Sequence, residues 1–131
     1  MHGDIMKKVI KVKYRNIFKY EDYQETIKFD QKGYLEESED CKIISFMGDQ
    51  LVTIELKTSE IVLHNGNSIL RLVSGRDILN QYQTDYGVIS LKTRLINYEI
   101  GNTVKIKYEL YDGLNLISQV YMMLSYVILE N

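Results

Sequence analysis

Tyr82, Thr84, Thr93 and Tyr108 are the side chains in this sequence best spaced to act together. Each sits at an alternating position of an apolar run, so their hydroxyls project among Ile89, Leu91, Val104 and Ile106. A few oriented hydroxyls in an apolar wall suit holding a small molecule rather than transforming one. The same groups could instead satisfy one another or a core water and leave the interior filled. Other chemistry finds little footing. His2 sits at the terminus and His64 follows a surface-facing alternation, so neither stands as a base beside a nucleophile. Cys41 is alone, and no Cys/His spacing makes a zinc site. Glu36, Glu37, Glu39 and Asp40 form an acidic run that reads as a solvated loop rather than a cation site. Single glycines spaced as turns do not cradle phosphate. No catalytic residue, metal or cofactor is expected.

What must position the hydroxyls is a succession of strands. Alternating apolar and polar residues run from end to end, broken by turn signals and by no long helical pattern. Alternation and punctuation predict about ten strands. The first is Lys8–Phe18, with Ile10, Val12 and Tyr14 on one face. Tyr23–Glu36 comes next, with a bulge or turn expected at Lys32-Gly33. Lys42–Met47 and Leu51–Thr58 follow, the latter setting Val52, Ile54 and Leu56 opposite Thr53, Glu55 and Lys57. Asn16–Tyr20 and Gly75–Leu79 read as short helical connectors.

Asn65-Gly66 is the strongest hairpin signal. A two-residue loop there pairs His64 with Asn67, Val62 with Ile69 and Glu60 with Arg71. Ile61, Leu63, Leu70 and Leu72 then share one face, and Glu60, His64 and Arg71 the other. A turn at Tyr86-Gly87 pairs Thr84 with Ile89, Tyr82 with Leu91 and Asn80 with Thr93, all facing inward with Leu95. Asp112-Gly113 joins strand Thr103–Tyr111 to the last, Leu116–Leu129. A three-residue loop with a glycine bulge sets Leu116, Val120, Met122, Leu124 and Tyr126 against Val104 and Ile106. Ile117, Tyr121, Met123, Val127 and Leu129 are left outside, an apolar stripe that asks for a cover.

Composition fits one domain, residues 1–131, with 45% hydrophobic and 26% charged residues. Eleven Tyr and no Pro favour long paired strands. The net charge of −2 gives no push toward nucleic acid. Lys7, Lys8, Lys11, Lys13 and Arg15 do make the first strand basic, which reads as a solvated edge guarded by lysines rather than a phosphate-binding stripe. No apolar run approaches the roughly 18 residues of a membrane span. The start, Met1-His2-Gly3-Asp4, lacks the apolar core of a signal peptide, and with the lone cysteine this points to the cytoplasm.

Tyr82-Gln83-Thr84-Asp85-Tyr86-Gly87, followed by Leu91-Lys92-Thr93, resembles the most recognisable stretch of the bacterial YwiB-like family. Gly33-Tyr34, the Asn65-Gly66 hairpin, Ile106-Lys107-Tyr108-Glu109-Leu110 and Met122-Met123-Leu124-Ser125-Tyr126 extend the resemblance over nearly the whole chain. It implies a calycin-like β-barrel, related in shape to lipocalins and fatty-acid-binding proteins, in a family of unknown function without established catalytic residues. The expectation is an all-β, antiparallel up-and-down barrel of about 8–10 strands, closed or nearly so. Inside it a small apolar or amphipathic ligand is oriented by Tyr82, Thr84, Thr93 and Tyr108 and contacted by Leu91, Ile106 and Leu124. The alternative is a filled barrel that acts through its surface, as a homodimer or with a partner protein on the last strand. Neither expectation involves a membrane or nucleic acid.

Overall fold

The structure, a computed structural model, describes residues 6–129; the opening residues, His2 among them, lie outside that range. Ten strands follow one another: β1 (Met6–Lys19), β2 (Gln24–Glu37), β3 (Cys41–Met47), β4 (Leu51–Lys57) and β5 (Glu60–Asn65). Then come β6 (Ser68–Val73), β7 (Ile78–Thr84), β8 (Gly87–Glu99), β9 (Thr103–Asp112) and β10 (Asn115–Ile128). They form one antiparallel sheet in the order β6-β5-β4-β3-β2-β1-β10-β9-β8-β7. This is an all-β up-and-down barrel, nearly closed, with its seam between β6 and β7. No helix occurs among the described residues. Nor is any helix there long and apolar enough to cross a membrane.

Both expected helical connectors are something else. Asn16 continues β1, because the alternation Ile10, Val12, Tyr14, Asn16, Phe18 stays in register with β10 as far as Lys19 opposite Gln119. Gly75 lies in a tight turn at φ +77°, and Ile78 already begins β7. The break expected at Lys32-Gly33 is absent too, since Lys11↔Lys32 and Ile10↔Gly33 follow without a shift. Gly33 serves close approach instead: a Cβ there would lie 2.4 Å from the Ser45 carbonyl oxygen. It is also where β3 joins β2, whose ladder covers only Gly33 to Glu37. Below that ladder Phe29 fills the gap, its ring centroid 6.2 Å from Phe46 and 6.3 Å from Tyr14.

Two hairpins turn one residue away from where the dipeptide signals point. Asn65 opposes Ser68, so Gly66-Asn67 form the loop, with Gly66 at φ +61°. Thr84 opposes Gly87, so Asp85-Tyr86 form the second. Each pairing differs by two residues from the expected one, which preserves the side-chain faces. The β9–β10 hairpin has a two-residue loop, Gly113-Leu114, and its bulge comes later, between Leu116 and Ser118. That bulge turns Leu116 outward and buries Ser118, contrary to the expected inward Leu116. Val120, Met122 and Leu124 oppose Tyr108, Ile106 and Val104 as expected.

The seam has a construction of its own. β6 and β7 share only the turn bridge Val73↔Arg76, then diverge. The Arg71 main chain, which faces the gap, is taken by side chains. Its N–H donates to Asn80 Oδ1 at 2.9 Å, and its carbonyl accepts from Thr93 Oγ1 at 2.6 Å. Asn80 Nδ2 in turn donates to Thr93 Oγ1 at 3.1 Å. Two buried polar side chains thus do what a neighbouring strand would do.

One half of the barrel interior is solid. Ile10, Val12, Leu35, Ile44, Leu72 and Leu124 all have no exposed surface. The other half is not.

Candidate functional site

A cavity of about 250 Å³ occupies the half of the barrel that receives the C-terminal end of β1 and the N-terminal end of β10. Val52, Ile54, Leu63, Leu70, Leu91 and Met122 supply apolar wall, each from a strand whose alternation turns it inward. Tyr14, Tyr20, Tyr82 and Tyr108 bring four phenols to the same space. No Asp, Glu, Lys or Arg is among the lining residues. His64 touches it from the rim; its ring hydrogen-bonds the Glu55 carboxylate. Arg71 meets Glu60, so the outward charges on this hairpin are paired.

Asn16 is the most telling group in the cavity. It is 6% exposed, its Nδ2 donates to the Tyr14 hydroxyl at 2.9 Å, and its Oδ1 is buried with no partner. Tyr14 uses a lone pair in that bond and keeps its own proton free. Turning the amide over would exchange which residue holds the spare donor and which the spare acceptor. In either orientation the pair is left with at least one donor and one acceptor. A buried amide oxygen left so costs about 1–3 kcal/mol. Tyr108, 3% exposed, lines the same cavity.

Three of these phenols are held in the neutral form. Burial pushes the Tyr14 hydroxyl up to about 12, only partly offset by the Asn16 hydrogen bond. Burial likewise raises Tyr108, helped by the neighbouring Tyr14, Tyr82 and Tyr20. Tyr20 is raised by burial first and by Glu25 and its tyrosine neighbours next. They remain neutral hydrogen-bonding groups. This has a consequence at high pH. Above the ordinary tyrosine value near 10 the unfolded chain releases protons that the folded barrel retains. The unfolded state then binds fewer protons, so stability falls as pH rises, for Tyr14 between about 10 and 12. Absorbance titration should show Tyr14 and Tyr108 ionising well above the ordinary tyrosine value. Ionisation of all eleven tyrosines near pH 10 with the fold intact would contradict this.

The residues singled out in the sequence separate into two groups. Tyr82, Leu91 and Tyr108 line the cavity. Thr84 does not; its hydroxyl donates to the Gly87 carbonyl at 2.8 Å and accepts from the Tyr86 N–H, capping the hairpin turn. Thr93 is bound up in the seam. Ile106 and Leu124 lie in the solid half, fully buried and away from the cavity. Asn16 and Tyr14 were missed as site residues. Their signal was a polar residue on the inward face of an apolar alternation, at Ile10, Val12, Tyr14, Asn16, Phe18.

A family model described as a domain of unknown function (DUF1934) matches residues 10–124. The chain belongs to this family. The DUF1934 match spans the barrel from the first inward residues of β1 to the end of the ladder between β9 and β10. In fold, this DUF1934 chain is similar to the crystal structure of the ywiB protein from Bacillus subtilis. The two superpose with a TM-score of 0.77 over 95% of this chain and 94% of that one, at 16% identity. A search of the curated proteins finds no match. Among the described residues, no group of three His, Cys, Asp or Glu could hold a metal ion.

Proposed function

We propose that this barrel is a non-catalytic binding module for a small, neutral, amphipathic molecule. The observation that carries the reading is the Asn16–Tyr14 pair, which sets unmet donor and acceptor capacity beside an apolar cavity. A guest hydroxyl both donates and accepts, so it satisfies the pair. Charge on the guest would go unpaired among neutral groups, which disfavours ions. The cavity, about 250 Å³, exceeds the ~150 Å³ that admits benzene and falls below the ~300 Å³ where drug-sized pockets begin. A body of one or two rings, or its aliphatic equivalent, fits. By analogy of fold alone, the barrel would work as lipocalins do, with the ligand inside. The lone Cys41, which can form no internal disulfide, suits a cytoplasmic setting.

Native mass spectrometry of freshly purified protein, before and after organic extraction, tests this. The reading expects a small neutral adduct that extraction removes and that Asn16→Leu protein never carries. An adduct retained equally by Asn16→Leu protein would place the ligand elsewhere and defeat the reading.

A further inference from the structure

The basic first strand is not an edge. β1 is laddered on both sides, to β2 and β10, so its lysines guard nothing against strand addition. They form part of a cationic outer face. Along one row across the sheet, Lys28, Arg15, Met123 and Lys105 follow one another on β2, β1, β10 and β9. Lys107 lies beside Tyr121 in an adjacent row, and Lys11 opposes Lys32 in another. Arg15 directly faces Lys28, and Lys11 directly faces Lys32. Like charges so placed destabilise a sheet. Lys11 has Asp30 at 3.8 Å, but Lys13, Arg15, Lys28, Lys32, Lys105 and Lys107 are in no ion pair among the described residues.

A groove of about 580 Å³ runs through the middle of this face. Lys13, Arg15 and Lys28 wall it with Asp30, and Met123, Ser125 and Thr103 are among the residues lining it. Ser125 on β10 and Thr103 on β9 leave the depression, and Lys13, Arg15 and Lys28 deepen it from the β1–β2 side. Tyr121, 38% exposed, offers a ring one row away.

The geometry points to single-stranded nucleic acid as the occupant. Lys11, Lys13 and Arg15 repeat along β1 at about 6.8 Å, close to the step between phosphates of an extended strand. A basic track beside a hydroxyl-lined groove and an aromatic ring is the general design of single-strand binding. The overall charge of −2 hides this face, on which the cations outnumber Asp30, Glu36 and Glu99, the acids set opposite Lys13, Lys7 and Lys105. A second copy of the chain is a poor occupant. A two-fold contact through this face would set cations against cations, whatever apolar area Tyr121, Met123 and Val127 offered.

The test is fluorescence anisotropy with a labelled 12-nucleotide oligo-uridine and the full chain. Binding in the micromolar range is expected at 50 mM salt. About four phosphate contacts give a log–log slope near −2.8, so affinity falls roughly fifty-fold by 200 mM. Arg15→Glu/Lys28→Glu should abolish binding, while Lys57→Glu/Arg76→Glu, with the same charge change off the face, should reduce it only a fewfold. No binding at 50 mM salt overturns the proposal, and so does equal loss in the two variants. Preference for polyglutamate or for phosphatidylserine vesicles over the oligonucleotide overturns it in favour of an acidic protein or a membrane. The cavity plays no part in this assay, so its outcome is independent of the ligand reading.

Discussion

Asn80→Leu should lower the unfolding free energy by about 3 kcal/mol, the cost of leaving buried main-chain groups unpaired. Leucine matches asparagine roughly in volume, so packing is little changed. What goes is the acceptor for the Arg71 N–H and the donor to Thr93 Oγ1 and to the Leu91 carbonyl. No neighbouring strand can replace them, because β6 and β7 form no ladder at this level. A seam opening there would also release Thr93 from the Arg71 carbonyl. In a chain of this size the change corresponds to a fall of roughly 10 °C in melting temperature. Gln81→Leu, one residue along and exposed, should stay within about 0.5 kcal/mol. Urea melts of the two variants check this, and a loss under 1 kcal/mol for Asn80→Leu would mean that the seam is held by something else.

Asn16→Leu should move stability and binding in opposite directions. The variant removes a buried carbonyl oxygen that has no partner and adds apolar contact in its place. It also forfeits the hydrogen bond to Tyr14, worth about 1 kcal/mol. The balance is a stabilisation of about 1 kcal/mol in the empty protein. Affinity for a hydroxylated guest should fall about a hundredfold, or some 2.7 kcal/mol. Such a trade is expected where a group is kept for what it binds rather than for the fold. Thermal melts and calorimetry on the same preparation check both halves. A destabilised variant that still binds its guest would show that Asn16 is a core residue and no more.

Much of the barrel was legible in the sequence because a strand declares itself by its period. Val52, Ile54 and Leu56, or Val104, Ile106 and Tyr108, fall on the buried face wherever the turns sit. Even the displaced loops at Gly66 and Asp85 left faces intact, since the pairings moved by an even number. Bulges are different. An extra residue at Ile117 or Ile96 reverses every face beyond it, and neither Gly nor Pro marks the spot. Leu116 was misplaced for that reason.

The site was harder to read than the fold, because it depends on strands distant in sequence. That β1 lies beside β10 is a fact of closure, and it alone brings Tyr14 and Asn16 to Met122 and Ser118. Thr93 and Tyr108 look equivalent in alternation. Only the missing ladder between β6 and β7 commits one to the seam and leaves the other facing the cavity. The basic face was hidden in the same way, since Lys105 and Arg15 are neighbours only across β10.

The most direct test compares phenol with toluene by titration calorimetry on the purified, extracted protein. The two are nearly equal in size and differ in one hydroxyl. A plain apolar cavity takes toluene and rejects phenol, because the buried hydroxyl would go unpaired. With Asn16 and Tyr14 offering an acceptor and a donor, phenol should bind at least tenfold more tightly than toluene. Toluene binding as well as phenol, or better, would contradict the account.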